Sequence, residues 1–290
     1  MPSLATLQEN DYDKVAALIR EASARFILPR YKALKDGEVS SKSGPNDLVT
    51  LADIEAEAFL AEALPDILRG SVVIGEESVS RGESDLSAIT QLDQAVWVVD
   101  PVDGTYNFVH GGREFGVMVA LVQGGECIAG WIYDVLNDTL TRTTKGEGVY
   151  EETRQISIPP LNVDEQRFED LIVHLSPKFF PAAIRQNIKA KAQSMDNIRS
   201  VGSAAHEYLK IVRGLSHSAV YCRLKPWDHL AGTLMVEEAG GFVQKWDKSR
   251  YTPRDSYAGL IAASNEQTWE SVFETFFADI DLSQLSPPKK

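Results

Sequence analysis

Two hydrophobic periods alternate along this chain, and that alternation limits its fold more than any other feature of the sequence. Apolar residues recur at helical spacing between residues 15 and 27, and Pro29 ends that segment. The apolar runs at residues 71–75 and 95–99 are too short for helices and rich in β-branched side chains, which favours buried strands. The sequence therefore predicts a mixed α/β (α+β) fold with interleaved helices and strands.

The alternation continues through the rest of the chain. Residues 36–45 are rich in Gly, Ser and Lys and predict a loop, after which Thr50 and Asp53 have the spacing that begins a helix. Apolar runs on both sides of Gly124 and Gly125 predict a hairpin. A prolyl break at residues 158–162 divides the chain into two predicted parts, residues 1–158 and 159–290. Beyond the break, strands alternate with predicted helices at 183–192, 203–212, 228–239 and 267–278.

The net charge argues against two classes of partner, and the two cysteines argue against a zinc site and a disulfide framework. Lys and Arg number 29 against 42 Asp and Glu, so the net charge is −13 and nucleic acids or anionic membranes would be repelled. Cys127 and Cys222 lack the spacing of a zinc site and cannot build a disulfide framework, so we expect two reduced thiols. The first ten residues lack a basic region followed by an apolar core, and no stretch approaches roughly 18 apolar residues, so we expect neither a targeting segment nor a membrane span. We expect a cytoplasmic protein without a nucleic-acid or membrane partner.

Two carboxylates follow the predicted strand at residues 95–99. Asp100 and Asp103 are three residues apart, with a proline fixing the bend between them, so both can face one cleft. Gly104 permits close backbone approach, and the amides of Gly104 and Thr105 would begin a short helix able to hold an anion. Carboxylates beside an anion site need a cation between them, and oxygen ligands favour Mg²⁺.

Further acidic residues occupy comparable positions. Glu76 and Glu77 follow the first predicted strand, and Asp228 begins a predicted helix, where the helix dipole favours a carboxylate. Taken singly, Asp228 and Asp53 are ordinary helix-start residues, and the two glutamates form an ordinary turn. Four such positions in one chain favour a metal site. His229 is expected on the helix surface, because the histidines form no metal-ligand pattern.

At these residues the chain resembles the inositol monophosphatase family of Mg²⁺-dependent, lithium-sensitive phosphatases. The family pattern Asp-Pro-(Ile/Val)-Asp-Gly-Thr-x-Asn-Phe is complete at residues 100–108. The pattern Trp-Asp-x-x-(Ala/Gly), continuing to Glu-Ala-Gly-Gly, is present at residues 227–241. Three further family segments match at residues 42–53, 75–78 and 201–205, in the family's order.

The resemblance implies a layered sandwich of alternating αβαβα layers, usually in a homodimer, that hydrolyses a small phosphate ester with two or three Mg²⁺ ions and a metal-activated water. The implied catalytic residues, which position that water, are Glu76 and Thr105, with Asp53 holding the Thr105 hydroxyl. The implied metal ligands are Glu76, Asp100, the Val102 carbonyl, Asp103 and Asp228. The implied substrate contacts are Lys42, Asp103, Gly104, Thr105, Ala204, Tyr221, Arg223 and Asp228.

The substrate that the resemblance implies is an inositol monophosphate or a related polyol phosphate. Members that hydrolyse inositol esters usually carry Glu seven residues before the helix-start Asp, and here that position is Tyr221. A tyrosine donates one hydrogen bond and cannot accept two hydroxyls as a carboxylate does. Arg223 and Lys225 nearby could recognise a second phosphate or a carboxylate, or could simply lie in a solvated loop. Tyr221 and Arg223 are therefore expected to tune substrate choice.

Other functions stay open on the sequence alone. A 3′(2′),5′-bisphosphate nucleotidase of the same superfamily resembles Asp-Gly-Thr followed by Lys or Arg and Glu-Phe, whereas this chain has Tyr106, Asn107 and Phe108. A histidinol-phosphate phosphatase is a further alternative. From a different class, a regulatory protein that binds partners and has only incidental catalysis would fit the same fold.

Overall fold

The computed structural model describes residues 7–44, 47–161, 167–256 and 259–281. Pro45 of the predicted loop and Asn162 of the prolyl break lie outside these ranges. The α-helices are α1 (Glu9–Ala22), α2 (Leu51–Ile67), α3 (Glu76–Ser80), α4 (Thr105–Val109), α5 (Ala182–Gln193), α6 (Ala204–Val212), α7 (Pro226–Glu238) and α8 (Glu266–Phe277). The strands are β1 (Val39–Gly44), β2 (Asp47–Thr50), β3 (Val72–Gly75), β4 (Val96–Asp103), β5 (Gly116–Gln123), β6 (Glu126–Asp134), β7 (Thr139–Thr144), β8 (Gly148–Glu151), β9 (Arg154–Ile156), β10 (Val173–Leu175), β11 (Ile198–Arg199), β12 (Ser218–Tyr221), β13 (Phe242–Lys245) and β14 (Leu260–Ala263).

A seven-stranded sheet runs in the order β3-β4-β5-β6-β7-β8-β9. β3 and β4 are parallel, and β4 to β9 follow one another antiparallel. The side chains of β4 alternate between two hydrophobic clusters, with Val96 and Val98 in one and Trp97 and Val99 in the other. Both faces of this sheet are therefore covered, which explains the nearly continuous apolar run in the sequence.

A second sheet has five strands in the order β11-β10-β12-β14-β13. β11, β10 and β12 are parallel, whereas β14 is antiparallel to both of its neighbours. On β14, Ile261 belongs to the cluster with α5 and α8, and Ala262 belongs to the cluster with α6 and α7. This sheet is also covered on both faces.

Helices and sheets alternate in five layers. α1 and α2 pack on the outer face of the seven-stranded sheet, and α6 and α7 lie between the two sheets. α5 and α8 cover the outer face of the five-stranded sheet. The αβαβα sandwich that the family resemblance implied is confirmed.

Local signals explain most element boundaries. The Thr50 hydroxyl accepts from the Ala52 amide at 3.1 Å, and the Asp53 carboxylate accepts from the Thr50 amide at 2.9 Å, so this pair begins α2 as predicted. After α1 the chain makes a π-helical turn (Ser23–Ile27) and a 3-10 turn (Leu28–Arg30), and Pro29 prevents further helix.

The predicted loop at residues 36–45 is wrong in part. β1 pairs antiparallel with β2, and Val39 lies opposite Thr50. The segment has no apolar run because this two-stranded ribbon is not a buried strand pair, so hydrophobic periodicity could not reveal it.

The proposed division into residues 1–158 and 159–290 falls just after β9, and it stays a prediction. The cluster between the sheets takes side chains from both parts, among them Met118 and Leu230. No helix in the described residues combines the length and the apolar composition needed to cross a lipid bilayer.

Candidate metal centre and substrate cavity

Parallel pairing of β3 and β4 brings the first two acidic residues together. Gly75 lies opposite Val99, so Glu76 and Asp100 leave adjacent strands at the same edge of the sheet. β4 continues past Asp100 to Asp103, with an irregularity in its pairing to β5 between these two residues. The sequence placed the strand end at residue 99, and the longer strand fixes both aspartates on a rigid element.

Asp228 completes a cluster of three carboxylates. It lies in the first turn of α7, which begins with Pro226, and α7 packs between the sheets. One carboxylate oxygen from each of Glu76, Asp100 and Asp228 lies within 4.8 Å of the others. Three acidic residues distant in sequence therefore converge at one place.

The electrostatics of this cluster suit a cation. Burial and the negative charges of Glu76 and Asp103 raise the pKa of Asp228 to about 8, although the Lys225 charge opposes them. Burial and the charge of Glu76 also raise the pKa of Asp100 well above its usual value. Buried carboxylates that repel one another are stabilised by a cation, and three hard oxygen donors fit a divalent ion such as Mg²⁺.

Two lysines contact the Glu76 carboxylate. Lys42 Nζ and Lys225 Nζ each lie 3.1 Å from Glu76 Oε1, and Lys42 also lies 2.5 Å from Glu77 Oε1. Burial alone would raise the pKa of Glu76, but the charges of Lys225 and Lys42 lower it below its usual value. Glu76 is therefore ionised at neutral pH.

Asp103 lies in the same cavity but outside the three-carboxylate cluster. Its carboxylate accepts from the Ser203 hydroxyl and from the amides of Ala204 and Ala205, at 3.1 and 2.8 Å. Asp103 thus connects β4 to the start of α6. Each carboxylate oxygen has two lone pairs, so these contacts leave capacity for a cation.

Thr105 and Asp53 are joined as the resemblance implied. Thr105 Oγ1 lies 3.1 Å from Asp53 Oδ1 and 2.9 Å from the Val102 carbonyl oxygen. Asp53 is buried on α2, and burial raises its pKa to about 6. Gly104 has φ +85°, and a Cβ there would lie 2.8 Å from the Glu114 carbonyl oxygen, so the turn into α4 requires glycine.

These residues surround a cavity of about 220 Å³. Of the predicted site residues, Lys42 and Asp53 do not line it. Lys42 contacts the lining residue Glu76, and Asp53 contacts the lining residue Thr105. The predicted residues that do line it are Glu76, Asp100, Val102, Asp103, Gly104, Thr105, Ala204, Tyr221, Arg223 and Asp228.

Glu207 is a cavity residue that the sequence analysis missed. It is 8% exposed, and burial followed by the charge of Asp103 raises its pKa to about 7. Its carboxylate is an electrostatic neighbour of the Tyr221 hydroxyl, which makes no close hydrogen bond within the described residues. The only sequence signal for Glu207 was its place in the first turn of α6. Acidic residues are common there because the helix dipole stabilises them, so the signal does not indicate a functional site.

The cavity wall also contains Ser176, Lys178 and Phe179, which the sequence analysis did not single out. They lie at and after the end of β10, in a 3-10 turn (Pro177–Phe179) that carries no family motif. The Phe179 ring is 41% exposed.

The expectation that His229 lies on the helix surface is wrong. It is 2% exposed, its Nε2 lies 2.7 Å from the Arg223 carbonyl oxygen, and its Nδ1 lies 3.0 Å from the Tyr208 hydroxyl. Burial lowers its pKa to about 4, so the ring is neutral. Every residue of α7 from His229 to Val236 is buried because the helix lies between two sheets, so the assumption of one exposed face was wrong.

Comparison with known proteins places this geometry among phosphatases. The family model described as Inositol monophosphatase family matches residues 8–280. The inositol-1-monophosphatase of Bacillus subtilis (strain 168) is 32% identical over 261 residues, which cover 89% of this chain and 93% of that protein. Inositol monophosphatase 1 of Sus scrofa is 29% identical over 215 residues, 72% of this chain and 76% of that protein. A solved structure, the extragenic suppressor protein suhB from Bartonella henselae, has a TM-score of 0.77 at 26% identity and covers 93% of this chain and 98% of that one.

Proposed function

The chain belongs to the inositol monophosphatase family and is a phosphoric monoester hydrolase, and from that premise we propose that it hydrolyses the phosphate ester of an inositol or related polyol with Mg²⁺. The observation that carries the proposal is the convergence of Glu76, Asp100 and Asp228 in a cavity that also contains Gly104 and Thr105. Relatives whose names state an inositol-phosphate activity support the choice of substrate.

The metal would be held by Glu76, Asp100 and Asp228, with Asp103 and the Val102 carbonyl as further ligands. Two or three Mg²⁺ ions, when bound, would neutralise phosphate charge and lower the pKa of a water molecule. The repulsion among the three carboxylates would be relieved at the same time.

Thr105 and Glu76 would orient the attacking water. A hydroxyl has one proton, and when Thr105 donates it to Asp53, its oxygen is free to accept from the water. Glu76, kept ionised by Lys42 and Lys225, would accept the second hydrogen bond of that water. The first amides of α4 have no partner within the helix, so those of Gly104 and Thr105 would donate to the phosphate oxygens.

Glu207 and Tyr221 would recognise the hydroxyls of the alcohol. Tyr221 stands where inositol-hydrolysing members usually carry Glu, and Glu207 supplies a carboxylate to the same cavity from α6. A carboxylate accepts two hydroxyls and the Tyr221 hydroxyl offers one donor, so the pair could bind a vicinal diol. This arrangement supports a polyol despite the substitution at Tyr221.

The first test is Mg²⁺-dependent phosphate release from inositol 1-phosphate, 3′-phosphoadenosine 5′-phosphate, histidinol phosphate and fructose 1,6-bisphosphate. We expect release that requires Mg²⁺ and favours the polyol esters. Preference for the nucleotide or the histidinol ester would overturn the substrate and retain the metal chemistry. No release from any ester, with Mg²⁺ still bound, would favour the partner-binding alternative.

Family membership also supports two finer proposals, lithium sensitivity and a homodimer. Li⁺ is expected to inhibit the Mg²⁺-dependent release in the same assay. Sedimentation equilibrium is expected to give twice the chain mass of 32.0 kDa, and a monomer at assay concentrations would refute the dimer.

A further inference from the structure

Five basic side chains near the mouth of the substrate cavity have no acidic partner among the described residues. They are Lys178, Arg185, Lys189, Arg199 and Arg223. Nearby cations differ, since Lys191 pairs with Asp279 at 2.7 Å and Lys225 pairs with Glu76 at 3.1 Å. In a chain of net charge −13, such a group of unpaired cations creates a local positive potential that attracts anions.

Lys178 and Arg223 lie against one aromatic ring. The Lys178 ammonium is 4.6 Å from the centroid of the Phe179 ring, and the Arg223 guanidinium carbon is 5.1 Å from it. Burial, followed by the charge of Arg223, lowers the pKa of Lys178. Two cations that repel each other beside one ring can be bridged by an anion.

This pair lies close to the proposed phosphate position. Tyr106 follows Thr105 directly, and the Lys178 ammonium is 5.8 Å from the centroid of the Tyr106 ring. Tyr106 and Phe179 are 42% and 41% exposed, so both rings next to the two cations leave apolar surface that a ligand could contact. A small molecule extending from Thr105 past Tyr106 would reach Lys178 and Arg223.

The remaining three cations line a second cavity that adjoins the first. The two cavities share Ser176, Lys178 and Ser200. Arg185, Lys189 and Arg199 lie around the second cavity, and no acidic residue is part of its described lining. The positive potential therefore extends outward from Lys178, away from the carboxylate cluster.

We propose that Lys178 and Arg223 form a second anion subsite, which binds a distal phosphate of the substrate, so that the preferred substrate is a polyol bisphosphate. The proposal rests on the proposed function, because the scissile phosphate is the one at Gly104 and Thr105. The guanidinium of Arg223 offers two parallel donors that match phosphate oxygens, and a doubly charged phosphate gains more from several cations than a carboxylate does. Phe179 and Tyr106 would contact the carbon skeleton.

The experiment compares kcat/KM for matched esters. Fructose 1,6-bisphosphate is measured against fructose 1-phosphate, and inositol 1,4-bisphosphate against inositol 1-phosphate. We expect the wild-type protein to favour each bisphosphate by about tenfold, as two charge-assisted contacts would allow. In the double variant Lys178→Ala, Arg223→Ala, the ratio of the two kcat/KM values is expected to fall to about one. Equal kcat/KM within both wild-type pairs, or an unchanged ratio in the double variant, would overturn the subsite.

The control variant is Arg69→Ala. Arg69 is exposed, lines neither cavity and has no ion pair among the described residues, so this change removes one charge without touching the proposed subsite. Its bisphosphate ratio is expected to match that of the wild-type protein. If Arg69→Ala lowers the ratio as strongly as Arg223→Ala alone, overall charge explains the preference and the proposal fails.

A binding measurement separates this proposal from the proposed function. With EDTA present, calorimetric titration with fructose 1,6-bisphosphate should show weaker binding to the double variant than to the wild-type protein, even if no ester is ever hydrolysed. Equal affinity for the two proteins would overturn the subsite.

Inorganic phosphate added to the fructose 1-phosphate assay gives the last comparison. Activation to the level of the bisphosphate would assign the subsite to a free anion and refute a bisphosphate substrate.

Discussion

Asp100 and Asp228 lie buried beside the ionised Glu76, so their own ionisation opposes folding unless a cation is bound, whereas Lys42 and Lys225 stabilise the Glu76 carboxylate. The unfavourable ionisation is seen in the pKa values of the two aspartates. The pKa of Asp228 rises to about 8, and that of Asp100 rises well above its usual value. Asp100 and Asp228, two of the proposed metal ligands, would thus also destabilise the metal-free protein.

The first prediction concerns Asp228→Asn. Removing one ligand should lower kcat/KM roughly 100-fold or more, the scale found when one stabilising group is lost from a charged transition state. In EDTA the variant should melt at the same temperature as the wild-type protein or higher, because a buried group whose ionisation opposes folding is gone. Thermal scans with and without Mg²⁺ check both statements. Near-normal turnover at saturating Mg²⁺ would remove Asp228 from the metal centre.

The second prediction concerns Glu207→Gln. An amide accepts fewer hydroxyls than a carboxylate, so KM for inositol 1-phosphate should rise roughly tenfold relative to KM for 4-nitrophenyl phosphate, which has no polyol hydroxyls. Glu237→Gln is the control, because it makes the same change from carboxylate to amide at an exposed residue that does not line the cavity. Equal changes in the two variants would leave Glu207 a structural residue.

At the residue scale, the sequence predicted those cavity residues that belong to contiguous motifs. Asp100, Asp103 and Gly104 form a contiguous pattern, and their meeting with Asp228 followed from family resemblance rather than from spacing. Glu207 and Lys178 reach the cavity from a helix start and a short turn whose local sequences are ordinary. Nothing in such segments indicates which way a side chain points until the two sheets are packed.

At the scale of elements, α6 and α7 are held together by an unusually close contact. A Cβ on Gly232 of α7 would lie 2.0 Å from an atom of the Tyr208 ring on α6. That ring cannot move freely, since its hydroxyl is 3.0 Å from Nδ1 of the buried His229. Glycine at this position therefore sets the distance between the two central helices.

The third prediction follows from that contact. Gly232→Ala should destabilise the protein by about 1–3 kcal/mol, the usual range for overpacking a core. Gly44→Ala is the control, because a Cβ there meets no atom within 4 Å and its φ is not positive. Urea unfolding followed by tryptophan fluorescence gives both free energies. If Gly232→Ala had the same free energy of unfolding as the control, α6 and α7 could move apart without a loss of stability, and the prediction would be wrong.

The fourth prediction concerns pH and β10. His174 is 3% exposed, neither ring nitrogen has a partner within the described residues, and burial followed by the charges of Lys210 and Arg199 lowers its pKa to about 4. The unfolded chain binds a proton near pH 6.5, whereas the folded protein binds it only near pH 4, so stability falls as the pH decreases between these values. The loss should be roughly 2 kcal/mol at pH 5 relative to pH 7.

His174→Leu tests that contribution. The variant cannot be protonated at this position, so its stability should decline less steeply than that of the wild-type protein between pH 7 and pH 5. Urea unfolding at several pH values measures both slopes. Parallel pH profiles would mean that His174 is already protonated in the folded protein or that another group controls the acid sensitivity.

The elements themselves were predictable where burial is regular. β4 and β5 have apolar side chains on both faces, and α5, α6 and α8 have recognisable helical periods, so their positions agree with the sequence to within a few residues. The β1–β2 ribbon was missed because backbone pairing, and not a buried apolar face, defines it.

At the scale of the whole molecule, the proposed metal centre lies where two sheets and the central helices meet. Glu76 and Asp100 come from the seven-stranded sheet, whereas Asp228 comes from α7, which packs between both sheets. A bound cation would therefore join a sheet to the central helix layer, and its binding energy would stabilise the interface between these layers.

The fifth prediction tests that connection. Mg²⁺ should raise the melting temperature, and it should slow amide hydrogen exchange both at the end of β4 and in the first turns of α7. Mass spectrometry of peptic peptides with and without Mg²⁺ resolves the two regions. Protection confined to β4 would show that Asp228 does not share the ion.

The positions of the cavity residues also bear on how this chain could acquire a different substrate. The three clustered carboxylates lie on or beside β4 and at the start of α7, whereas Lys178, Phe179, Tyr221 and Arg223 lie at the ends of β10 and β12 in the other sheet. Under the proposed roles, hydrolytic chemistry and choice of alcohol would depend on different side chains, even where these are as close in sequence as Arg223 and Asp228. Mutation could diversify the second set while the first stays unchanged, so divergence in specificity would not require an inactive intermediate.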